Sequence, residues 1–292
     1  MIIIDGKKIA QEIKAELKTE IDKLKSAGKN VPGLVAILVG DNPASEIYVR
    51  NKAKACEEIG MRAKTEKHSV DMKEDDLLKL IEYYNNNKEY HGILVQLPLP
   101  KHIDEDKIIE AVSPKKDVDG FHPISVGNLV IGKPAFRSCT PAGIQELLIR
   151  YKIETKGKHV VVLGRSNIVG KPIANIMLQK KEFANSIVTI CHSAAPDVSY
   201  YTKQADILIA AMGSPKFVKG NMVKEGVVVI DVGINRVEDN TSSKGYRLVG
   251  DVDFDEVSKK SSYITPVPGG VGPMTIAMLL KNTYEAFLKY GG

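Results

Sequence analysis

From Gly6 to Gly28 the apolar residues Ile9, Ile13, Leu17, Ile21 and Leu24 recur at helical spacing, and Gly28 is placed as a stop; this predicts an amphipathic helix. LVAILVG (Leu34 to Gly40) is an uninterrupted apolar run, the mark of a buried strand. Pro43 to Ile59 then predicts a helix, Met61 to His68 a strand, Lys73 to Asn86 a helix, and GILVQLPLP a strand ending at prolines. Such alternation implies a mostly parallel sheet with crossover helices. Between Pro114 and Pro141 the periodicity gives way to Gly, Pro, Asp and Ser, and a domain junction is expected there. Thr140 and Pro141 have the chemistry of an N-cap and a first helical position, opening a helix to about Tyr151. HVVVLG, a glycine-bearing turn, a helix from about Val169, SIVTICH, ADILIAAMG and VVVIDVG repeat the alternation, as in a dinucleotide-binding α/β domain. The hydrophilic stretch Glu238 to Arg247 is expected as a surface loop or hairpin, and Met274 to Tyr290 as a last amphipathic helix.

Composition narrows the class. A length of 292 residues fits two domains, and 43% hydrophobic with 26% charged residues excludes disorder, collagen and coiled coil. Lys and Arg total 41 against 36 acidic residues, but the net +5 is spread without a basic block, so no nucleic-acid partner is expected. Cys56, Cys139 and Cys191 lie too far apart for a CxxC metal site or a disulfide framework, which points to a reducing, cytoplasmic setting and no metal. MIIIDGKK has too short an apolar run for a signal peptide, and no stretch is long enough to span a membrane. With no Trp and 6% aromatics, stacking platforms for sugars or single strands are disfavoured.

Chemistry concentrates in a few strings. In HVVVLGRSNIVGKP the spacing is Gly164-Arg165-Ser166 and then Gly170, not GxGxxG, yet the physical need is met. Gly164 permits a tight turn at the strand end, the following amides face an anion, and Gly170 allows close backbone approach. The next strand ends in His192 and Ser193 with no carboxylate to repel a ribose 2′-phosphate, and Arg165 can fork onto one; the local charge favours NADP over NAD. His192 itself fits a structural or rim position better than a catalytic one. Tyr48 and Lys52 stand four apart and share a helix face, although a solvated lysine and a half-buried tyrosine are the ordinary reading. Gln96 ends an apolar strand, where ligands sit in open α/β sheets, and needs a partner: backbone, Lys52 or a ligand. Asp117 and Asp119 lie in KDVDGF, where turn-forming Asp is the plain alternative. TPVPGGVGPMT makes a rigid loop nearly free of side chains, suited to passing close against a flat ligand.

Taken together, YVRNKAKACEEIG, GILVQLPLP, KDVDGF, CTPAG, VVVLGRSNIVGKP, VIDVGIN, GDVDF and PVPGGVGPMT resemble the bifunctional methylenetetrahydrofolate dehydrogenase/cyclohydrolase family, in order and from first helix to last. The resemblance implies two three-layer α/β domains flanking a cleft, the second a Rossmann-type dinucleotide-binding domain. It places residues 1–121 plus 274–292 in a discontinuous folate-binding catalytic domain and 122–273 in the NADP-binding domain. It implies oxidation of 5,10-methylenetetrahydrofolate with NADP and hydrolysis of the methenyl product to 10-formyltetrahydrofolate, as part of one-carbon metabolism. Lys52, Gln96 and Asp119 are then catalytic: Lys52 central, Gln96 bonded to it, and Asp119 anchoring the pterin. Tyr48 stacks on the aminobenzoate, and Ser45, Leu97, Pro268, Gly269, Gly270 and Gly272 complete the substrate contacts. Gly164, Arg165, Ser166, Ser193, Gly213 and Ile234 take the cofactor, and a homodimer through the cofactor domains is expected. One departure stands out: Ala195 occupies a position where the family commonly has Thr.

Other readings make different demands. A shikimate- or amino-acid-dehydrogenase-like enzyme could share the cofactor half, but it would not need Tyr48, Lys52, Gln96 and Asp119 together. A monofunctional NAD(P)-dependent methylenetetrahydrofolate dehydrogenase is the nearer alternative. A dinucleotide-responsive regulatory module would bind cofactor without turnover.

Overall fold

The computed structural model describes residues 1–239, 241–242 and 245–291. In chain order the first elements are β1 (Ile2–Ile3), α1 (Gly6–Ser26), β2 (Gly33–Val39), α2 (Pro43–Glu58), β3 (Arg62–His68), α3 (Glu74–Asn86), β4 (Gly92–Val95), α4 (Glu105–Ala111), α5 (Pro123–Val130) and α6 (Cys139–Arg150). Then come β5 (His159–Leu163), α7 (Gly170–Met177), β6 (Ile187–Cys191), α8 (Val198–Thr202), β7 (Ile207–Ala210), a 3₁₀ turn (Gly220–Met222), β8 (Val228–Asp231), β9 (Asn235–Glu238), β10 (Tyr246–Val249), α9 (Phe254–Val257), β11 (Tyr263–Ile264) and α10 (Val271–Tyr290). The chain forms two compact units, Gln11–Cys139 with Ile276–Gly292, and Met1–Ala10 with Thr140–Thr275.

The first of these is built on a parallel sheet of order β3-β2-β4. All seven residues of the central strand β2 are buried, as expected of a strand covered on both faces. Leu77, Ile81 and Tyr84 of α3 pack on Val35, Ile37, Val39 and Ile93 to form its core. Truncating Ile37, which has no exposed surface, to Ala would cost about 2–5 kcal/mol. The outer strand β3, RAKTEKH, keeps charged residues along its free edge, which discourages pairing with another chain.

The other unit carries a six-stranded sheet, order β1-β11-β8-β7-β5-β6, with every pairing parallel. From β5 the chain first goes outward to β6 and then returns to β7 on the other side. The strand order therefore switches between β5 and β7, the place where open α/β sheets bind ligands. Val161, Leu163, Leu208, Ala210 and Val229 form its buried centre. The four apolar runs of the second half are thus the four strands β5 to β8 of a Rossmann-type sheet. β9 and β10 pair antiparallel across the hydrophilic stretch anticipated as a loop or hairpin, of which residues 240, 243 and 244 lie outside the described residues.

The boundaries of these units differ from the division at 121/122 and 273/274. Residues 1–10 go with the second sheet because β1 adds to β11 and Ile4 N donates to Ile264 O at 2.8 Å. The stretch to Cys139 stays with the first sheet, and within it α5 forms where no periodicity was expected. His122 starts this helix, its Nδ1 accepting from Ile124 N at 3.0 Å. The chain passes between the units inside α1, α6 and α10. No described helix is long and apolar enough to cross a membrane.

Candidate functional site

At the end of β2, Asn42 caps α2: its Oδ1 accepts from Ala44 N at 3.0 Å and Ser45 N at 3.2 Å, so the helix begins at Pro43. That start puts buried Ser45 in the first turn, with Tyr48, 49% exposed, and part-buried Lys52 following on one face. Lys52 Nζ donates to Gln96 Oε1 at 3.1 Å. Gln96 lies one residue beyond β4, its own N–H bonded to Ile37 O at 2.9 Å, and its Nε2 donates to Leu97 O at 2.7 Å. An ammonium only donates and a carbonyl only accepts, so both contacts fix the same orientation of the Gln96 amide. Of the three partners open to Gln96, the structure supplies backbone and Lys52.

Asp119 is held by its neighbours. Asp117 Oδ1 accepts from Phe121 N at 3.1 Å and Oδ2 from His122 N at 3.0 Å, which makes Asp117 the turn-forming member of the pair. Gly120, at φ 71°, lets this loop lie flat on the next strand of chain, since a Cβ there would stand 2.6 Å from Ser138 N. From α10, Asn282 Nδ2 donates to Val118 O at 2.8 Å and Arg137 O at 3.1 Å, clasping both sides of the loop. Cys139 Sγ lies 4.0 Å from Asp119 Oδ1, the one donor to that carboxylate among the described residues. Burial pushes Asp119 up to about 6; the Lys52 charge pulls it down, and Asp117 adds to the rise. A part-buried carboxylate without strong donors is suited to a ligand's N–H groups. Asn282 and Cys139 escaped sequence reasoning; a polar Asn on the apolar face of the last helix was the available signal.

In the second unit, Gly164 follows β5 at φ 126°, and a Cβ there would sit 2.2 Å from Ala211 O, the residue after β7. Only glycine lets the two strand ends approach this closely. Ser166 Oγ accepts from Val169 N at 3.2 Å and Gly170 N at 3.3 Å, shaping the turn into α7. Arg165 is exposed and forms no ion pair among the described residues. After β6, His192 Nδ1 accepts from Ala194 N at 3.3 Å, and Ser193 is exposed beside it. Ala195 packs against the core of this unit. The next acidic residue, Asp197, is occupied in starting α8, with Oδ1 accepting from Ser199 N at 2.8 Å. Gly213, at φ 70°, lies in the loop after β7.

Pro268, Gly269, Gly270 and Gly272 also belong to this second unit, apart in the chain from the Lys52 group. Gly270 N donates to Pro266 O at 2.8 Å, and Gly269 O accepts from Lys7 N at 2.9 Å. The loop lines a cavity of about 130 Å³ together with Ile234, which is half exposed. The structure thus groups Ser45, Tyr48, Lys52, Gln96, Leu97 and Asp119 in one unit. It groups Gly164, Arg165, Ser166, Ser193, Gly213 and Ile234 with the PGGVG loop in the other.

The sequence matches two family profiles: the tetrahydrofolate dehydrogenase/cyclohydrolase catalytic domain over residues 4–119, and the NAD(P)-binding domain of the same family over residues 138–290. It is 60% identical over 289 residues to the bifunctional protein FolD of Chloroherpeton thalassium, covering 98% of each chain. The crystal structure of the bifunctional methylenetetrahydrofolate dehydrogenase/cyclohydrolase FolD from Campylobacter jejuni superposes with a TM-score of 0.92 at 52% identity, over 98% of both chains. The Trypanosoma brucei enzyme, solved with NADP cofactor and inhibitor, gives a TM-score of 0.92 at 40% identity over 99% of this chain and 98% of that one. With both profiles matched in order and a relative this similar end to end, the chain belongs to the tetrahydrofolate dehydrogenase/cyclohydrolase family.

Proposed function

We propose that this protein oxidises 5,10-methylenetetrahydrofolate to 5,10-methenyltetrahydrofolate with NADP and hydrolyses the methenyl form to 10-formyltetrahydrofolate. The observation that carries the reading is the Lys52–Gln96 hydrogen bond at 3.1 Å, in a unit that also holds the elevated carboxylate of Asp119. The bifunctional relatives favour this over a dehydrogenase alone.

In the first reaction the methylene carbon between N5 and N10 loses a hydride and becomes the carbon of an amidinium cation. NADP, when bound, supplies the hydride acceptor. The nucleotide turn fits that molecule: Gly164 brings two strand ends together, Arg165 forms no ion pair among the described residues, Ser193 is exposed, and the first acid after β6, Asp197, is taken up in capping α8. We assign Gly164, Arg165, Ser166, Ser193, Gly213 and Ile234 to its binding.

In the second reaction water adds to the amidinium carbon and the N5–carbon bond breaks. The water oxygen becomes the formyl oxygen, one of its protons ends on N5, and the other is released. Lys52 orients that water and relays the proton, while Gln96 Oε1 holds the lysine head in place. Asp119 receives the pterin N–H groups, and half-exposed Tyr48 offers its ring to the aminobenzoate. Ser45 and Leu97 complete the contacts in the same unit, and the Pro268, Gly269, Gly270 and Gly272 backbone offers a surface without side chains to a flat ligand.

A homodimer is part of the reading. β6 is an edge strand of the six-stranded sheet, and its Ile187 and Ile190 are 65% and 43% exposed; a second copy covering this edge would bury them. Light scattering on the eluting protein measures the mass directly, and a monomer at working concentration would contradict it.

The functional test uses purified protein with methylenetetrahydrofolate and NADP, followed for both NADPH and 10-formyl product. Formation of both supports the reading. NADPH with methenyl product that hydrolyses no faster than without enzyme would establish a dehydrogenase alone.

A further inference from the structure

Asp251 lies in GDVDF, outside every contact assigned above, and has no exposed surface. Its Oδ2 accepts from Met212 N at 2.7 Å and Gly213 N at 2.9 Å, and its Oδ1 from Ser214 N at 2.9 Å and Asn235 Nδ2 at 2.9 Å. Four donors thus meet one carboxylate, about as many as its lone pairs can accept. No lysine or arginine pairs with it among the described residues, so the donors alone compensate its burial. The backbone around it is held by a second buried carboxylate: Asp231 Oδ1 accepts from Asp251 N at 2.9 Å and Gly233 N at 3.0 Å, and Oδ2 from Val252 N at 3.0 Å.

The segments so gathered are not arbitrary. Residues 212–214 follow β7, next to Ala211, whose carbonyl stands against Gly164 of the glycine turn. Asn235 follows Ile234 and opens β9. Asp251 therefore ties the loop after β7 to the segment after β8, at the carboxyl ends of the strands beside the switch between β5 and β7. This is the edge of a parallel sheet that receives a dinucleotide. A core needing only cohesion would be served by apolar side chains; a desolvated carboxylate sets the direction of three backbone N–H groups and one side-chain amide.

We propose that Asp251 is a positioning residue of the nucleotide site, acting through residues 212–214 and Asn235 to set the affinity for NADP. The inference rests on the NADP-dependent reading above and adds to it a residue that does not itself face the ligand.

The test compares the full-length protein with Asp251→Asn. In either orientation of the new amide, its NH₂ group faces two donors, so about two of the four bonds are lost. Calorimetric titration with NADP is expected to show roughly tenfold or greater weakening, with a matching rise in KM. Hydrolysis of added methenyltetrahydrofolate without dinucleotide is expected to fall less than threefold. Wild-type NADP affinity in the variant would overturn the proposal. So would parallel loss of NADP binding, hydrolysis and melting temperature, which would mark a purely structural residue. If Asp251→Asn does not fold, Asn235→Asp decides, because it sets a second carboxylate against Asp251 without altering its burial. Weaker NADP binding with hydrolysis retained supports the proposal, and unchanged binding overturns it. A wild-type protein that neither binds NADP nor turns over would instead defeat the functional reading itself.

Discussion

Lys52 and Gln96 stand 44 residues apart in the chain, yet the lysine ammonium and the glutamine carbonyl meet at 3.1 Å because α2 and β4 both flank the strand β2. Each side chain completes the other: the amide gives the ammonium a fixed acceptor, and the ammonium satisfies a carbonyl at the end of an apolar strand.

Replacing Lys52 with Met keeps the bulk and removes the proton carrier. Hydrolysis of methenyltetrahydrofolate is expected to fall by roughly 10²-fold or more. Hydride transfer depends chiefly on proximity and orientation, so measurable dehydrogenase activity should persist. Methenyl absorbance in a stopped assay follows both, and unchanged hydrolysis in the variant would refute the role of Lys52.

The elevated Asp119 carboxylate gives a pH signature. If its ionised form holds the pterin, kcat/KM for the folate should drop about tenfold between pH 7 and pH 5, the interval centred on its value of about 6. Asp119→Asn should lower kcat/KM and flatten this limb. Persistence of the same limb in the variant would assign it to another group, such as Asp117, whose carboxyl is also raised by burial and whose charge acts on Asp119.

The same carboxylate affects stability with the opposite sense. Because its folded value lies above 3.8, the native state binds more protons than the unfolded chain between about pH 4 and pH 6, so this group's contribution declines as pH rises through that window and then levels off. Asp119→Asn should therefore be more stable than wild type at pH 7.5, by an amount on the order of 1 kcal/mol, with the gain vanishing below pH 4. Denaturant titrations at the two pH values check it.

Arg165→Ala and Ser193→Ala should each reduce the ratio of kcat/KM for NADP over NAD, Arg165 by about tenfold or more, since the guanidinium offers two directed hydrogen bonds to a phosphate. Both cofactors must be compared at saturating folate. An unchanged ratio would remove these residues from 2′-phosphate recognition.

Asn282→Ala deletes the two hydrogen bonds that clasp the chain on either side of Asp119. The expected result is a raised KM for folate, by roughly three- to tenfold, with NADP affinity unaltered. Isothermal titration of NADP separates this outcome from general destabilisation.

What was legible in the sequence follows from how local each signal is. β2 declares itself because all seven of its residues are apolar, and the glycine turn because Gly164, Ser166 and Gly170 act within seven positions of one another. β1 was not legible: two isoleucines join a sheet whose partner strand lies some 260 residues on. α5 was hidden in a Gly- and Ser-containing stretch and is started by His122, an uncommon cap. Lys52, Gln96 and Asp119 could be nominated from the chain, whereas Asn282 and Asp251 take their meaning from backbone groups far away in sequence.

The three crossings between the units have a consequence for synthesis on the ribosome. The nucleotide unit has all its residues once position 275 has been made, because its other piece, residues 1–10, comes first. The unit holding Lys52 has most of its residues by Cys139 but must wait for the chain after 275, and Asn282 with it. During vectorial synthesis the later-encoded sheet can therefore be finished before the earlier one. The loop bearing Asp119 is among the last parts of the molecule to be secured.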